Sequence, residues 1–253
     1  MLTRRVVVCL DVLAGRVVKG LAFQSLRDTG DPVELSAFYE RAGADEIVFL
    51  DIGASPEERR TMLDVAQSAA EHLFIPLTIG GGIRSVDDVA TTLRAGADKV
   101  SINSAAVRRP ALLSEGAEKF GSQCIVISID AKREGDGWRV YTNGGRSRTD
   151  LDAVEWAIEA VRRGAGEILL TSIDRDGTQS GYDLELTRQV VDSVSVPVIA
   201  SGGAGSPADV ARVIADAGAD AALVAGILHD GLTTVGALKQ AISEAGFPIR
   251  TAA

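Results

Sequence analysis

The chain has 253 residues, 46% of them hydrophobic, and a formal net charge of −9 at pH 7, with an isoelectric point near 4.8. That length and apolar content suffice for a large core. The acidic balance argues against nucleic acid or an anionic membrane as partner, because both attract a basic surface, so any anionic ligand must be held by local features.

The first strand candidate, residues 5–11, closes on Asp11. Arg4 and Arg5 ahead of Val6 to Leu10 superficially resemble a secretory leader, but Asp11 stops the apolar run short of the roughly 7–15 residues such a segment needs. The connection that follows, 13–31, is long and contains Gly15, Lys19, Gly20, Gly30 and Asp31. Long connections on the active face of an α/β protein typically serve as lids. Asp31-Pro32-Val33-Glu34 then reads as a helix start.

Further strand candidates fall at 46–52, 75–80, 99–103, 124–130, 167–172, 196–201 and 221–225, each followed by helical periodicity. Gly43-Ala44-Asp45, Gly96-Ala97-Asp98, Gly164-Ala165-Gly166 and Gly218-Ala219-Asp220 end helices and re-enter the sheet at the second, fourth, sixth and eighth strands. Ser85 with Asp87 and Asp88, and Ser206-Pro207 with Asp209, are N-cap signatures. The connection 131–149, with Gly135, Asp136, Gly137, Asn143, Gly144 and Gly145, reads either as a small hairpin or as a solvated excursion. Cys9 and Cys124 lie within apolar strand runs, which suits reduced core thiols in a cytoplasmic protein. With only His72 and His229, no Cys-x-x-Cys and no transmembrane stretch, neither a metal site nor a membrane anchor is expected.

The halves resemble each other. Asp11 and Asp130 end equivalent strand runs 119 residues apart (130 − 11), and Thr78-Ile79-Gly80-Gly81-Gly82-Ile83-Arg84-Ser85 returns as Ile199-Ala200-Ser201-Gly202-Gly203-Ala204-Gly205-Ser206, 121 residues later (199 − 78). With no Pro/Ser-rich linker between them, the pattern predicts a single α/β domain, a (β/α)8 TIM barrel over 1–253 built from half-barrels of about 1–120 and 121–253. Its active site would lie at the C-terminal ends of the strands.

Strand parity puts Arg5, Val7, Cys9 and Asp11 on one face, and Cys124, Val126, Ser128 and Asp130 on another. Strands one and five oppose each other in an eight-stranded barrel. The carboxylates would then flank a substrate, one accepting a proton and the other donating one; alternatively each braces a loop. The turns at Gly82 and Gly203 suit backbone cradles for anions, completed by Asn103 and Ser104 in one half and Ala225 and Gly226 in the other. Tight turns alone are the plainer reading. Asp174-Arg175-Asp176-Gly177-Thr178 offers a loop whose Asp176 and Gly177 face the second phosphate, or simply a turn. Thr171 and Ser201 are candidates to hydrogen-bond a substrate hydroxyl or carboxamide. Acid/base chemistry on an elongated substrate with an anion at each end is the expectation.

Val8-Cys9-Leu10-Asp11-Val12, Gly15-Arg16-Val17-Val18-Lys19-Gly20, Gly30-Asp31-Pro32-Val33-Glu34, Gly80-Gly81-Gly82-Ile83-Arg84, Asp98-Lys99-Val100-Ser101-Ile102-Asn103 and Asp174-Arg175-Asp176-Gly177-Thr178 together closely resemble the cyclase subunits of imidazole glycerol phosphate synthase, across essentially the whole chain. The resemblance implies histidine biosynthesis without a cofactor. Ammonia would condense with phosphoribulosyl-formimino-aminoimidazole carboxamide ribotide to give imidazole glycerol phosphate and aminoimidazole carboxamide ribotide. It also implies Asp11 and Asp130 as the acid/base pair, Lys19, in a closing first loop, as a further catalytic residue, and a glutaminase partner docked on the opposite barrel face, where Asp98 lies.

Arg5, Glu46, Lys99 and Glu167, at the strand starts, resemble the family's charged ammonia gate; a salt-bridged plug is the plainer alternative. Two departures stand out. Val224-Ala225-Gly226 replaces the usual Ala-Ala-Ser, removing a phosphate-binding hydroxyl, and His229-Asp230-Gly231-Leu232 replaces His-Phe-Gly-Glu. Ser104 stands where threonine is common. Competing readings are the preceding isomerase of the pathway, which is a related half-barrel repeat, and a non-catalytic phosphometabolite-binding barrel.

Overall fold

The computed structural model describes residues 2–21, 24–53 and 56–251. Eight parallel strands form the barrel: β1 (Arg5–Leu13), β2 (Glu46–Asp51), β3 (Leu77–Gly80), β4 (Lys99–Ile102), β5 (Ile125–Glu134), β6 (Glu167–Ser172), β7 (Val198–Ser201) and β8 (Ala221–Val224). Each pairs with the next, and β8 pairs with β1, which closes the sheet. The strands are rich in Val and Ile, whose branched side chains suit a pleated surface buried on both sides.

Alternation sorts those side chains into two compartments. Val6, Val8 and Leu10 face outward into the core shared with the helices. Val7 and Cys9 point inward, where they meet Val48, Val126, Leu169, Ile199, Ala221 and Leu223. The interior is therefore packed, and each fully buried aliphatic side chain contributes about 1.5–3 kcal/mol.

The helix starts follow from the capping residues. The Asp31 side chain accepts from the Val33 and Glu34 amides, Ser85 and Asp88 form a reciprocal capping box, and Ser206 accepts from the Asp209 amide ahead of Pro207. Gly43, Gly96, Gly164 and Gly218 all have positive φ. In three of the four returning segments the aspartate stitches the strand starts together: Asp45 accepts from the Val6 amide, Asp98 from Leu77 and Asp220 from Val198.

Some boundaries differ from the sequence reading. Cys124 belongs to a 3-10 turn, Ser122–Cys124, just ahead of β5, and is partly exposed rather than a core strand residue. The polar, helix-breaking Gly121-Ser122 pair delays entry into the sheet until Ile125. The connection after β1 is an antiparallel ribbon, Arg16–Leu21 with Gln24–Gly30; Ala22 and Phe23 of that connection lie outside the described residues. The second excursion is also ordered: Gly137–Thr142 and Ser147–Asp152 extend from β5 as antiparallel strands. Trp138 and Val140 alternate inward and are buried, which distinguishes this hairpin from a solvated loop. Among the described residues no helix is long and apolar enough to cross a membrane.

Candidate active site

β1 carries Asp11 upward past the apolar interior, and β5 does the same for Asp130. Each carboxyl keeps part of its surface open to the mouth. Crowding by protein nevertheless pushes Asp11 up to about 7, with the nearby Asp176 charge adding to the shift. Burial likewise pushes Asp130 up to about 6; the Asn103 hydrogen bond opposes the rise and Asp176 assists it. Both groups are thereby brought much nearer to neutral pH than an ordinary carboxyl. Asp176, on the exposed loop after β6, acts on both carboxyls.

Other strand-end residues gather at the same level. Thr171 is in register with Asp130 on one side and Ser201 on the other. Asn103, at the end of β4, donates from Nδ2 to Asp130 Oδ2 at 2.9 Å, while its buried Oδ1 has no hydrogen-bond partner. Lys19 reaches from the first ribbon to the far side of the mouth, where its ammonium donates to the Gly226 carbonyl at 3.3 Å and pairs with Asp230. A groove of about 480 Å³ beside Arg133, Asp174 and Tyr182 lies on the rim, and none of Asp11, Asp130 or Lys19 lines it.

The glycine-rich turns share a contact pattern offset by 121 residues. A Cβ on Gly81 would stand 2.1 Å from the Asp51 carbonyl oxygen, and one on Gly202 would stand 2.7 Å from that of Ser172. Their positive φ values, +88° and +87°, reinforce the need for glycine. Gly203 is pressed against the Gly181 carbonyl, whereas Gly82 is exposed. Close packing on neighbouring strand ends thus shapes both turns. Asn103 and Ala225, equivalent in the two halves, each precede a short helix that lacks a side-chain cap. The Ser104 hydroxyl accepts from the Asn143 amide at 2.9 Å, so the second excursion folds onto the first cradle.

At the opposite end, Arg5, Glu46, Lys99 and Glu167 form a closed ring. Arg5 contacts Glu46 at 3.1 Å and Glu167 at 2.6 Å; Lys99 contacts them at 2.8 and 2.7 Å. Each cation thereby compensates two nearly buried carboxylates. Thr78 also donates to Glu46 at 2.6 Å. Asp98 is exposed at this end, with one carboxylate oxygen held by the Leu77 amide. Between ring and mouth, Ser101 shares its β4 face with Lys99 and Asn103, and its buried hydroxyl has no hydrogen-bond partner. The period-two spacing of Lys99, Ser101 and Asn103 is legible in the sequence, whereas the unpartnered state of the Ser101 hydroxyl emerges only in the fold. The electrostatic influence of Asp176 likewise required the folded loop.

A closed eight-stranded parallel barrel with two crowded carboxyls at the C-terminal mouth, where barrel enzymes carry their active sites, defines the (β/α)8-barrel class. A family model described as Histidine biosynthesis protein matches residues 5–234. Imidazole glycerol phosphate synthase subunit HisF of Myxococcus xanthus is 68% identical over 251 residues, covering 99% of each chain. The like-named subunit of Dehalococcoides mccartyi is 59% identical over 250 residues, again covering 99% of each, and that of Halalkalibacterium halodurans is 58% identical over 252, covering 99% of this chain and 100% of the relative. The chain belongs to the HisF family, the cyclase subunits of imidazole glycerol phosphate synthase in histidine biosynthesis.

Proposed function

We propose that the chain condenses ammonia with phosphoribulosyl-formimino-aminoimidazole carboxamide ribotide, releasing imidazole glycerol phosphate, aminoimidazole carboxamide ribotide and a molecule of water. The observation that carries the chemical reading is the pair of raised carboxyls, Asp11 near 7 and Asp130 near 6, each on an inward face of β1 or β5. One takes a proton from the incoming nitrogen while the other returns one to the group that departs. Thr171, Ser201 and the free Asn103 Oδ1 are at hand for substrate hydroxyl and carboxamide groups.

The two phosphates seat in the cradles of Gly82, Asn103 and Ser104, and of Gly203, Ala225 and Gly226, with the Gly177 backbone beside the second and Lys19 supplying positive charge. The repeated turn geometry supports this reading and also supports half-barrels of about 1–120 and 121–253 within a single domain. Ammonia enters through the ring of Arg5, Glu46, Lys99 and Glu167 and passes Ser101, whose unpaired hydroxyl offers a hydrogen bond on the way.

The relatives' names describe synthase subunits, so we assign this chain a glutaminase partner on the ring side, with Asp98 in the interface, and a place in the cytoplasm. The test supplies purified protein with the bisphosphorylated ribotide and an ammonium salt at alkaline pH. Release of the carboxamide ribotide is expected, and its absence defeats the reading. Asp11→Asn is expected to bind the ribotide normally and lose turnover; unchanged turnover removes Asp11 from the chemistry.

A further inference from the structure

Lys19 and Arg27 are register partners across the first ribbon. Two cations directly opposite each other on an antiparallel pair repel, and the ribbon contains no described carboxylate between them. The compensating anion comes from another part of the chain. Asp230, after β8, accepts from Lys19 through one oxygen and from Arg27 at 3.3 Å through the other.

The platform presenting Asp230 is itself fastened. Asp230 caps the C-terminus of the short helix Gly226–His229, and its own amide donates to the Gly226 carbonyl at 3.0 Å. His229 is held at both ring nitrogens: Nε2 donates to the Cys9 carbonyl at 3.0 Å, and Nδ1 shares a hydrogen bond with the Tyr39 hydroxyl at 2.7 Å. Burial lowers the His229 pKa and so favours the neutral ring, in which Nδ1 accepts from Tyr39. β1, two residues from Asp11, thus anchors the loop that grips the ribbon.

Gly226 completes the arrangement. A Cβ at this position would lie 3.5 Å from the Lys19 ammonium, and a longer side chain would intrude on the space it uses.

We infer that Asp230 is a positioning residue: it clamps the first ribbon through Lys19 and Arg27 and seats the Lys19 ammonium at the Ala225–Gly226 cradle. The inference rests on the cyclase reading for its substrate. The ammonium has three protons, so it can contact Asp230 and the Gly226 carbonyl and still present one to a phosphate oxygen. Pre-seating the cation reduces the ordering that binding must impose.

Asp230→Asn and Asp230→Glu, each in the full chain, test the clamp in two ways. The first is limited trypsin digestion without ligand, following cleavage after Lys19 and Arg27. The second is KM against kcat for the bisphosphorylated ribotide at saturating ammonium. For Asp230→Asn, ribbon cleavage is expected to accelerate about three- to tenfold, as a small ion-pair network allows when proteolysis follows the open population. KM is expected to rise several-fold with kcat within about twofold of the parent, because the seated cation serves ground and transition states alike. Asp230→Glu should recover both toward the parent, with the thermal midpoint unchanged throughout.

Parent-like cleavage and KM in Asp230→Asn would overturn the inference. So would acceleration spread equally over sites in the barrel, which would mark a general loss of stability. If the parent protein does not convert the ribotide, the cyclase reading fails, and the trypsin experiment alone decides whether Asp230 holds the ribbon.

Discussion

Asn103 Nδ2 donates to Asp130 Oδ2 across 2.9 Å, tying the end of β4 to the carboxyl on β5. The bond favours the ionised carboxylate, against the burial that raises its pKa to about 6. Without it, Asp130 should protonate more readily.

Asn103→Leu is therefore expected to move the acid limb of the kcat–pH profile toward higher pH by about one unit, since a hydrogen bond to a charged group is worth roughly 1.5–3 kcal/mol. The rate near pH 6 falls about fivefold and returns nearly to the parent's at pH 8. A uniform loss at every pH would show that Asn103 does not act through Asp130.

Asp176 raises both Asp11 and Asp130 by its charge, so Asp176→Asn should move the acid limb in the opposite direction, to lower pH. Stability is linked to the same protons. Asp11 has an ordinary pKa of 3.8 and a folded value of about 7, so the native state binds the extra proton between those values and loses stability as pH rises through them. Asp11→Asn is expected to be more stable than the parent at pH 8 by on the order of 1–2 kcal/mol, after discounting for partial exposure. The difference should vanish near pH 4 in urea unfolding.

In the ring, Lys99 touches both Glu46 and Glu167, whose side chains are 1% and 6% exposed. Lys99→Met leaves Arg5 to compensate both and is expected to cost about 1–3 kcal/mol of stability. Ammonium-driven turnover should remain largely intact, while glutamine-driven turnover in the complex should be disturbed. Equal loss in both assays would assign Lys99 to folding or to the chemistry.

Asp45 and Asp98 end the same Gly-Ala-Asp motif but differ in burial. Asp45 is 5% exposed and bonds Lys239 at 2.7 Å and the Val6 amide at 2.8 Å. Asp45→Ala strands a buried ammonium as well as an amide, with an expected cost of about 3–5 kcal/mol. Asp98→Ala releases one amide beside an exposed side chain, and about 1 kcal/mol is expected. Urea denaturation of both variants checks the contrast.

Much of the architecture was legible in local patterns. Asp31, Ser85 and Ser206 announced helix starts because a cap depends only on residues within one turn. Glycine at 43, 96, 164 and 218 marked the returns to the sheet for a similarly local reason, positive φ. The alternation of Val7, Cys9 and Asp11 followed from the two-residue repeat of a strand. Cys124 was misplaced because a strand edge is set by whether partners continue to pair, which an apolar run cannot reveal.

The sequence by itself determined the barrel class, the repeat, and the residue types that end each strand, since these follow from periodicity, punctuation and family motifs. Only the tertiary structure decided that Asp176 presses on both acids, that four charges close into one ring, and that Asp230 bridges Lys19 and Arg27 from more than two hundred residues away (230 − 27 = 203). Those relations depend on distances of a few ångströms between side chains remote in the chain. Electrostatic and hydrogen-bond energies fall steeply over such distances, so spacing along the sequence carries little information about them.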